Sequence, residues 1–384
     1  MDKQRVSALL QRPEGTKLDF KVQLSLKTDS EKKELAKDIV AIANSKGGRG
    51  YIVFGVEDKT ARIVGIDEKS YREEQIQQII SQRCDPPVTI NFDIVHIENK
   101  AVGVLTVYKS YQKPHQIRQT GTFYIRRGST TDFARREEIA SMFQESGLIQ
   151  YESIVVNNAE VYDLNKSHID EYLNKVGMMY TDENYIDVLE SIGAMGREED
   201  CGKMHPTVGG LLVFGNEPQR FLPYAGIKLI DNYTGQPNNY FKGSITKMLD
   251  QVEGYIDSMV LNNDYPLEAL MEAVANAAVH RDYFATNREI VISLSAKKVE
   301  ISNPGALSSE EEDVLYFEES NPFRRNPWLY QRLQILDNKN RFLKTGIGIS
   351  NIRQAFRHIG EIKFSNNIKR NLFKIVLPGL EHSL

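Results

Sequence analysis

Cysteine is nearly missing from this chain: 384 residues hold only Cys84 and Cys201, in unrelated surroundings. That excludes a disulfide framework and a cysteine-based zinc site. The seven histidines show no His-Glu-x-x-His spacing, which removes the metalloprotease pattern. No apolar run reaches the roughly 18–20 residues of a membrane helix, and the start, Met-Asp-Lys-Gln-Arg, is polar. A secreted or membrane-spanning chain is therefore not expected; a cytoplasmic one is. There is no basic excess either. The net charge is −4 and the pI about 6.1, so any nucleic-acid surface has to be a local patch. Repeats and low-complexity tracts are also missing. The remainder is ordinary for a soluble globular protein, with 41% hydrophobic and 26% charged residues and length for two or three domains.

The most informative stretch present is Leu267 to Tyr283. Read as a helix, it stacks Glu272, Asn276 and His280 along one face at four-residue spacing. Leu267, Leu270, Met271, Val274 and Ala278 form the opposing apolar stripe. An amide oxygen one turn from a carboxylate can hold a magnesium ion that bridges phosphates, while the acid orients or deprotonates water. The alternative is a helix with solvated polar residues, although Asn inside a helix is unfavourable. Two short strands, 289–294 and 299–302, follow and end in Asn303-Pro304-Gly305. Further on, Gly346-Ile-Gly348 opens an amphipathic helix, where backbone N–H groups can approach phosphate oxygens.

This order of motifs resembles the GHKL ATP-binding superfamily. The C-terminal half is similar to that of bacterial Schlafen/AlbA-domain regulators, which share Glu272 to Tyr283, Asn303 to Gly305, Arg325 to Pro327 and Gly346 to Ile349. The resemblance implies ATP with Mg²⁺ bound through Asn276, His280, Asn303, Gly305, Gly346 and Gly348. It makes Glu272 the water-activating acid. Asn303 stands where those proteins carry an adenine-binding Asp, which puts adenine specificity in question, and no long lid is evident between Leu307 and Thr345. Binding is thus better supported than hydrolysis.

At the other end, residues 14–22 alternate, with Lys17, Asp19 and Lys21 on one face and Leu18, Phe20 and Val22 on the other. A helix over 31–45, a break at Gly47-Gly48-Arg49-Gly50 and a buried strand over 51–56 follow. With Glu14-Gly15, Asp19 to Lys21, Ala41 to Asn44, Gly47-Gly48 and Gly55 to Asp58, this block resembles the Schlafen/AlbA-type domain over about residues 10–145. The resemblance implies Glu14, Asp19 and Asp58 as a Mg²⁺ or Mn²⁺ site for RNA cleavage, with Lys21 neutralising the scissile phosphate. Asp19 replaces the usual Glu and is one methylene shorter. Similar acids also occur in relatives regarded only as DNA-binding regulators.

Between the two blocks, a helix over 71–83, a hairpin of 90–97 and 101–108, and a strand ending at Arg126-Arg127 are expected. The two arginines, with Ser129 to Thr131 and Lys113, suit phosphate contacts; a solvated strand end is the equal alternative. Helices over 166–177, 182–193 and 245–262, and strands over 207–214, 225–231 and 372–377, complete the reading. The fold class is α+β to α/β multidomain: a Schlafen/AlbA-like mixed sheet at 1–150, a connecting region at 151–265 and a GHKL-like α/β sandwich at 266–384. A winged helix is expected to be absent, since the chain ends at Leu384. Two functions stay open. One is an ATP-binding, nucleic-acid-binding regulator of DNA or RNA, expected as a homo-oligomer; the other is an ATP-controlled, metal-dependent endoribonuclease of stress or phage defence.

Overall fold

The computed structural model describes residues 1–58, 60–68, 71–260, 265–307, 324–342 and 348–381. The chain divides into two compact units, Met1–Ile149 and Gln150–Leu384.

In the first unit, helices α1 (Lys3–Leu10), α2 (Asp29–Asn44), α3 (Glu73–Arg83) and α4 (Arg136–Glu145) accompany eight strands: β1 (Leu18–Lys21), β2 (Gly50–Phe54), β3 (Cys84–Asp85), β4 (Ile90–Ile97), β5 (Lys100–Val107), β6 (Gln116–Ile117), β7 (Tyr124–Arg127) and β8 (Thr130–Phe133). Four of them form a sheet in the order β1-β2-β5-β4, with β1 and β2 parallel and Asp19 in register with Ile52. The strands of Asp19 and of 51–56 are thus neighbours. Alternation sorts the side chains into two cores. Leu18, Phe20 and Val53 join Val6 and Leu9 of α1 on one face; Ile52 and Phe54 join Leu35, Ile39 and Ile42 of α2 on the other. The alternation stops earlier than the sequence pattern does, because β1 ends at Lys21 and Val22 is exposed. α2 opens on a capping box in which Thr28 and Glu31 satisfy each other's backbone N–H.

The second unit holds α5 (Lys166–Val176), α6 (Tyr185–Ser191), α7 (Val208–Phe214), α8 (Ile245–Asp257), α9 (Leu267–Val279) and helices Pro327–Leu336 and Gly348–Phe356. Its strands are β9 (Met195–Arg197), β10 (Met204–Pro206), β11 (Ile227–Asp231), β12 (Asn239–Phe241), β13 (Ile290–Leu294), β14 (Lys298–Pro304), β15 (Lys363–Asn367) and β16 (Leu372–Pro378). Six form one sheet in the order β12-β11-β13-β14-β16-β15. Val299 and Ile301 of β14 are buried with α8 and α9 in one core, while Glu300 pairs with Lys298 and Lys374 on the opposite face.

Two expectations are corrected. Residues 208–214 are a helix, not a strand: all seven are buried, and an apolar run buried all round carries no period to read. Thr207 Oγ1 accepts from Gly210 N–H to start it, and Gly209, whose Cβ would lie 2.7 Å from the Trp328 ring, lets the helix pack close. The division at 265 falls inside one sheet, because β11 and β12 precede it and β11 pairs in parallel with β13.

Candidate functional site

In the second unit, α9 carries the acid and the amide on its packed face. Glu272 is 8% exposed, and burial alone pushes its carboxyl up to about 7. Among the described residues no cation forms an ion pair with it. A side chain at Gly348 would collide with Glu272 Oε1 and would lie 3.5 Å from Asn276 Nδ2. Glu272, Asn276 and Gly348 thus meet at the N-terminus of the Gly348–Phe356 helix. Asn303 is 4% exposed, and its Oδ1 has no hydrogen-bond partner among the described residues. It lies on β14 in alternation with Val299 and Ile301, facing the α9 layer. Gly346 lies outside the described residues.

The motifs around α9 hold its C-terminal end. His280 is the residue after the last turn, with its N–H donating to Asn276 O at 2.9 Å. It therefore ends the four-residue stack instead of extending it. Burial first, then Arg325 and Arg324, hold its imidazole down to about 4, so it is neutral at physiological pH. Arg325 donates to His280 O and Ala306 O, both at 3.0 Å. Asn326 donates to Val279 O at 2.7 Å and Arg281 O at 2.8 Å. Three of these donations, to Val279 O, His280 O and Arg281 O, satisfy carbonyls at the end of the helix; the fourth ties Arg325 to the segment after β14. Gly305 has φ +124°, and a Cβ there would run into Arg325. Arg281 is buried between the rings of Tyr224 and Tyr283, 5.0 and 4.8 Å from their centres, and donates to Asp282 O and Ala285 O.

In the first unit the acids gather around β1. Glu14 Oε1 accepts from Phe20 N–H at 2.6 Å. Its carboxyl is raised by burial, by a hydrogen bond with the Asp58 carboxyl and by the charges of Asp19 and Asp58. The three acids that the sequence singled out are therefore neighbours. Asp19, however, is already occupied: it is 7% exposed, Oδ1 accepts from Arg126 at 2.9 Å, and Oδ2 lies 3.3 Å from Lys21 Nζ. Lys21 also reaches Asp38 at 2.8 Å, and Thr131 Oγ1 donates to Asp38 at 3.1 Å. Among the described residues, no group of three or more His, Cys, Asp or Glu side chains could hold a metal ion.

The basic residues expected at phosphate have partners inside the protein. Arg126 is 5% exposed and bound to Asp19. Arg127 pairs with Asp132 at 2.9 Å and Glu138 at 2.8 Å. Lys113 is buried, 3.3 Å from Ser45 O and 3.5 Å from Glu145. The acids that hold these cations come from β1, β8 and α4, far from them in sequence or on the next strand.

Residues 14–135 match the family described as Schlafen, AlbA_2. The first unit carries a Schlafen/AlbA_2-type domain. Residues 140–227 match a domain of unknown function, DUF8451. The search of curated proteins found no match. Among solved structures, the chain is similar to the DIP2311 protein from Corynebacterium diphtheriae, with TM-score 0.45 and 21% identity over 99% of this chain and 81% of that one. It is also similar to the N-terminal domain of a RecG-related protein from Nitrosomonas europaea, with TM-score 0.25 and 18% identity over 34% of this chain and 89% of that one. Among the described residues no helix is long and apolar enough to cross a membrane.

Asp38 was missed in the sequence. Its signal was a carboxylate between Leu35 and Ile42 on the apolar face of α2. A charge in that position needs a cation brought from elsewhere in the fold.

Proposed function

We propose that this chain is a nucleotide-regulated, nucleic-acid-binding protein in which the second unit binds ATP with Mg²⁺ and the Schlafen/AlbA_2-type unit contacts nucleic acid. The supporting observation is the Glu272–Asn276–Gly348 cluster: a buried acid with no ion-pair partner among the described residues, an amide beside it, and a helix that starts at Gly348 against both. The orphaned acceptor of Asn303 on the neighbouring strand fits a ligand that brings a donor. The Asn276 amide oxygen is the group to hold Mg²⁺, and a bound divalent ion would supply charge neutralisation for phosphate oxygens. Glu272, titrating near neutrality, would hold or accept a proton from a water beside it. In calorimetry with Mg²⁺ present, Asn276→Ala should bind ATP at least about tenfold more weakly, with an unchanged unfolding midpoint. A wild-type chain without ATP affinity sinks the proposal.

The alternative, a metal-dependent endoribonuclease, draws on the contact of Glu14 with Asp58 and the proximity of Asp19. Against it stands the occupation of Asp19 by Arg126 and Lys21. The donor set is not that of a ready metal site, so the regulator reading leads. Incubation of RNA with the protein and Mn²⁺, with and without ATP, decides between them. Cleavage that Asp58→Ala abolishes while ATP binding persists would establish the alternative.

A further inference from the structure

Away from both clusters, one end of the N-terminal sheet alternates cations with aromatic rings. Gly50 opens β2 directly opposite Val107, the last residue of β5. The segment before Gly50 and the segment after Val107 therefore emerge side by side. Arg49 is exposed and its guanidinium lies 5.1 Å from the centre of the Tyr108 ring. Lys109 Nζ lies 4.9 Å from the Tyr111 ring, and Tyr111 is 75% exposed. Lys46 stands on the same loop as Arg49 and is half-buried. No carboxylate among the described residues forms an ion pair with Arg49.

The loop beneath these groups is held in place. A side chain at Gly50 would collide with Ile42, and Gly47 takes φ +108°. Ser45 Oγ donates to Ala41 O at 2.7 Å and accepts from Arg126 N–H at 2.8 Å. Lys113, buried, donates to Ser45 O. A surface fixed in advance spares a ligand part of the ordering cost of binding. Cations beside an exposed ring, Tyr111, and a half-buried one, Tyr108, match a strand whose phosphates and unstacked base faces are both within reach, whereas a duplex hides its base faces.

We propose that Lys46, Arg49, Tyr108, Lys109 and Tyr111 form a binding surface for single-stranded nucleic acid, with the cations on phosphates and Tyr108 and Tyr111 stacked on bases. It rests on the reading that the first unit contacts nucleic acid, and it adds the place and the form of that ligand.

The test is fluorescence anisotropy of the full chain with a short labelled single-stranded DNA, the same sequence as RNA, and the duplex. Tyr111→Ala should weaken single-strand binding about tenfold, while Tyr111→Phe keeps it. Arg49→Ala should reduce the slope of log affinity against log salt by about 0.7, the loss of one phosphate contact. Phe133→Ala, at another exposed ring, should bind as wild type. The DNA and RNA arms identify the sugar. If wild type binds but Tyr111→Ala and Arg49→Ala bind equally well, the surface is overturned and the nucleic-acid reading stands. Duplex binding as tight as single-strand binding also overturns it. No binding to any of the three overturns both.

Discussion

Asp19 of the first unit and Glu272 of the second are buried to nearly the same depth, at 7% and 8% exposure, and the two carboxylates are treated in opposite ways. Asp19 stands between Arg126 and Lys21, and the chain continues through Lys21 to Asp38. Its charge is matched within the fold. Glu272 has no ion-pair partner among the described residues, only the approach of Gly348 and Asn276, and its proton is held to about pH 7. Depth of burial therefore does not separate the two acids; the polar groups supplied to them do, as with Glu152, 3% exposed and without an ion pair among the described residues, which is met by the N–H groups of Trp328 and Leu329.

That contrast can be broken from either side. The largest effect is expected from Arg126→Ala. It leaves Asp19 buried with Lys21 alone, and unfolding of the first unit in urea should lose about 3 kcal/mol. A loss below about 1 kcal/mol would show that Lys21 suffices.

Glu272→Gln tests the other side through pH. The folded carboxyl is raised, from an ordinary 4.5 to about 7. Its contribution to stability is thus complete below the unfolded value and disappears as pH climbs through the folded one. Between about pH 4.5 and pH 8 the wild type should lose on the order of 3 kcal/mol through this group. The Gln variant has no such proton and should be flatter over that window. Parallel pH profiles for the two chains would mean that Glu272 is solvated or paired after all.

A smaller effect sharpens the same point. Gly348→Ala forces a methyl group against Glu272 and should destabilise by about 1–2 kcal/mol. Adding Glu272→Ala should return much of that loss, because the colliding carboxyl is gone. Strict additivity would show that the two residues do not share a site.

Local pattern carried some of these features and not others. Glu272, Asn276 and the glycine helix could be grouped because spacing on one helix and a phosphate-type turn are local signals. The strand–helix–strand order of the first block is a local signal as well, whereas the parallel direction of the β1–β2 pair is not. Arg126 could not be interpreted: its partner Asp19 is 107 positions away, and two adjacent arginines at a strand end look the same whether free or paired. The Arg325-Asn326 pair was noticed only as a motif, since nothing in its neighbourhood announces that it closes the end of a helix 45 residues upstream. The stretch 208–214 failed for a different reason, because complete burial erases the amphipathic signature that separates helix from strand.

The polar side of α2 has a consequence for how the chain is made. Asn44 donates to His115 O and Tyr124 O and accepts from His115 N–H, and Asp38 waits for Thr131. On the ribosome, α2 is finished long before any of those partners exists. At ordinary translation speeds the gap is on the order of ten seconds, during which an amide and a carboxylate destined for the interior remain in water. A fragment cut before β7 and β8 keeps its apolar helix face and the His115 contacts but lacks the Tyr124 carbonyl that accepts from Asn44 and the Thr131 hydroxyl that donates to Asp38, and it should be a chaperone client instead of a folded domain.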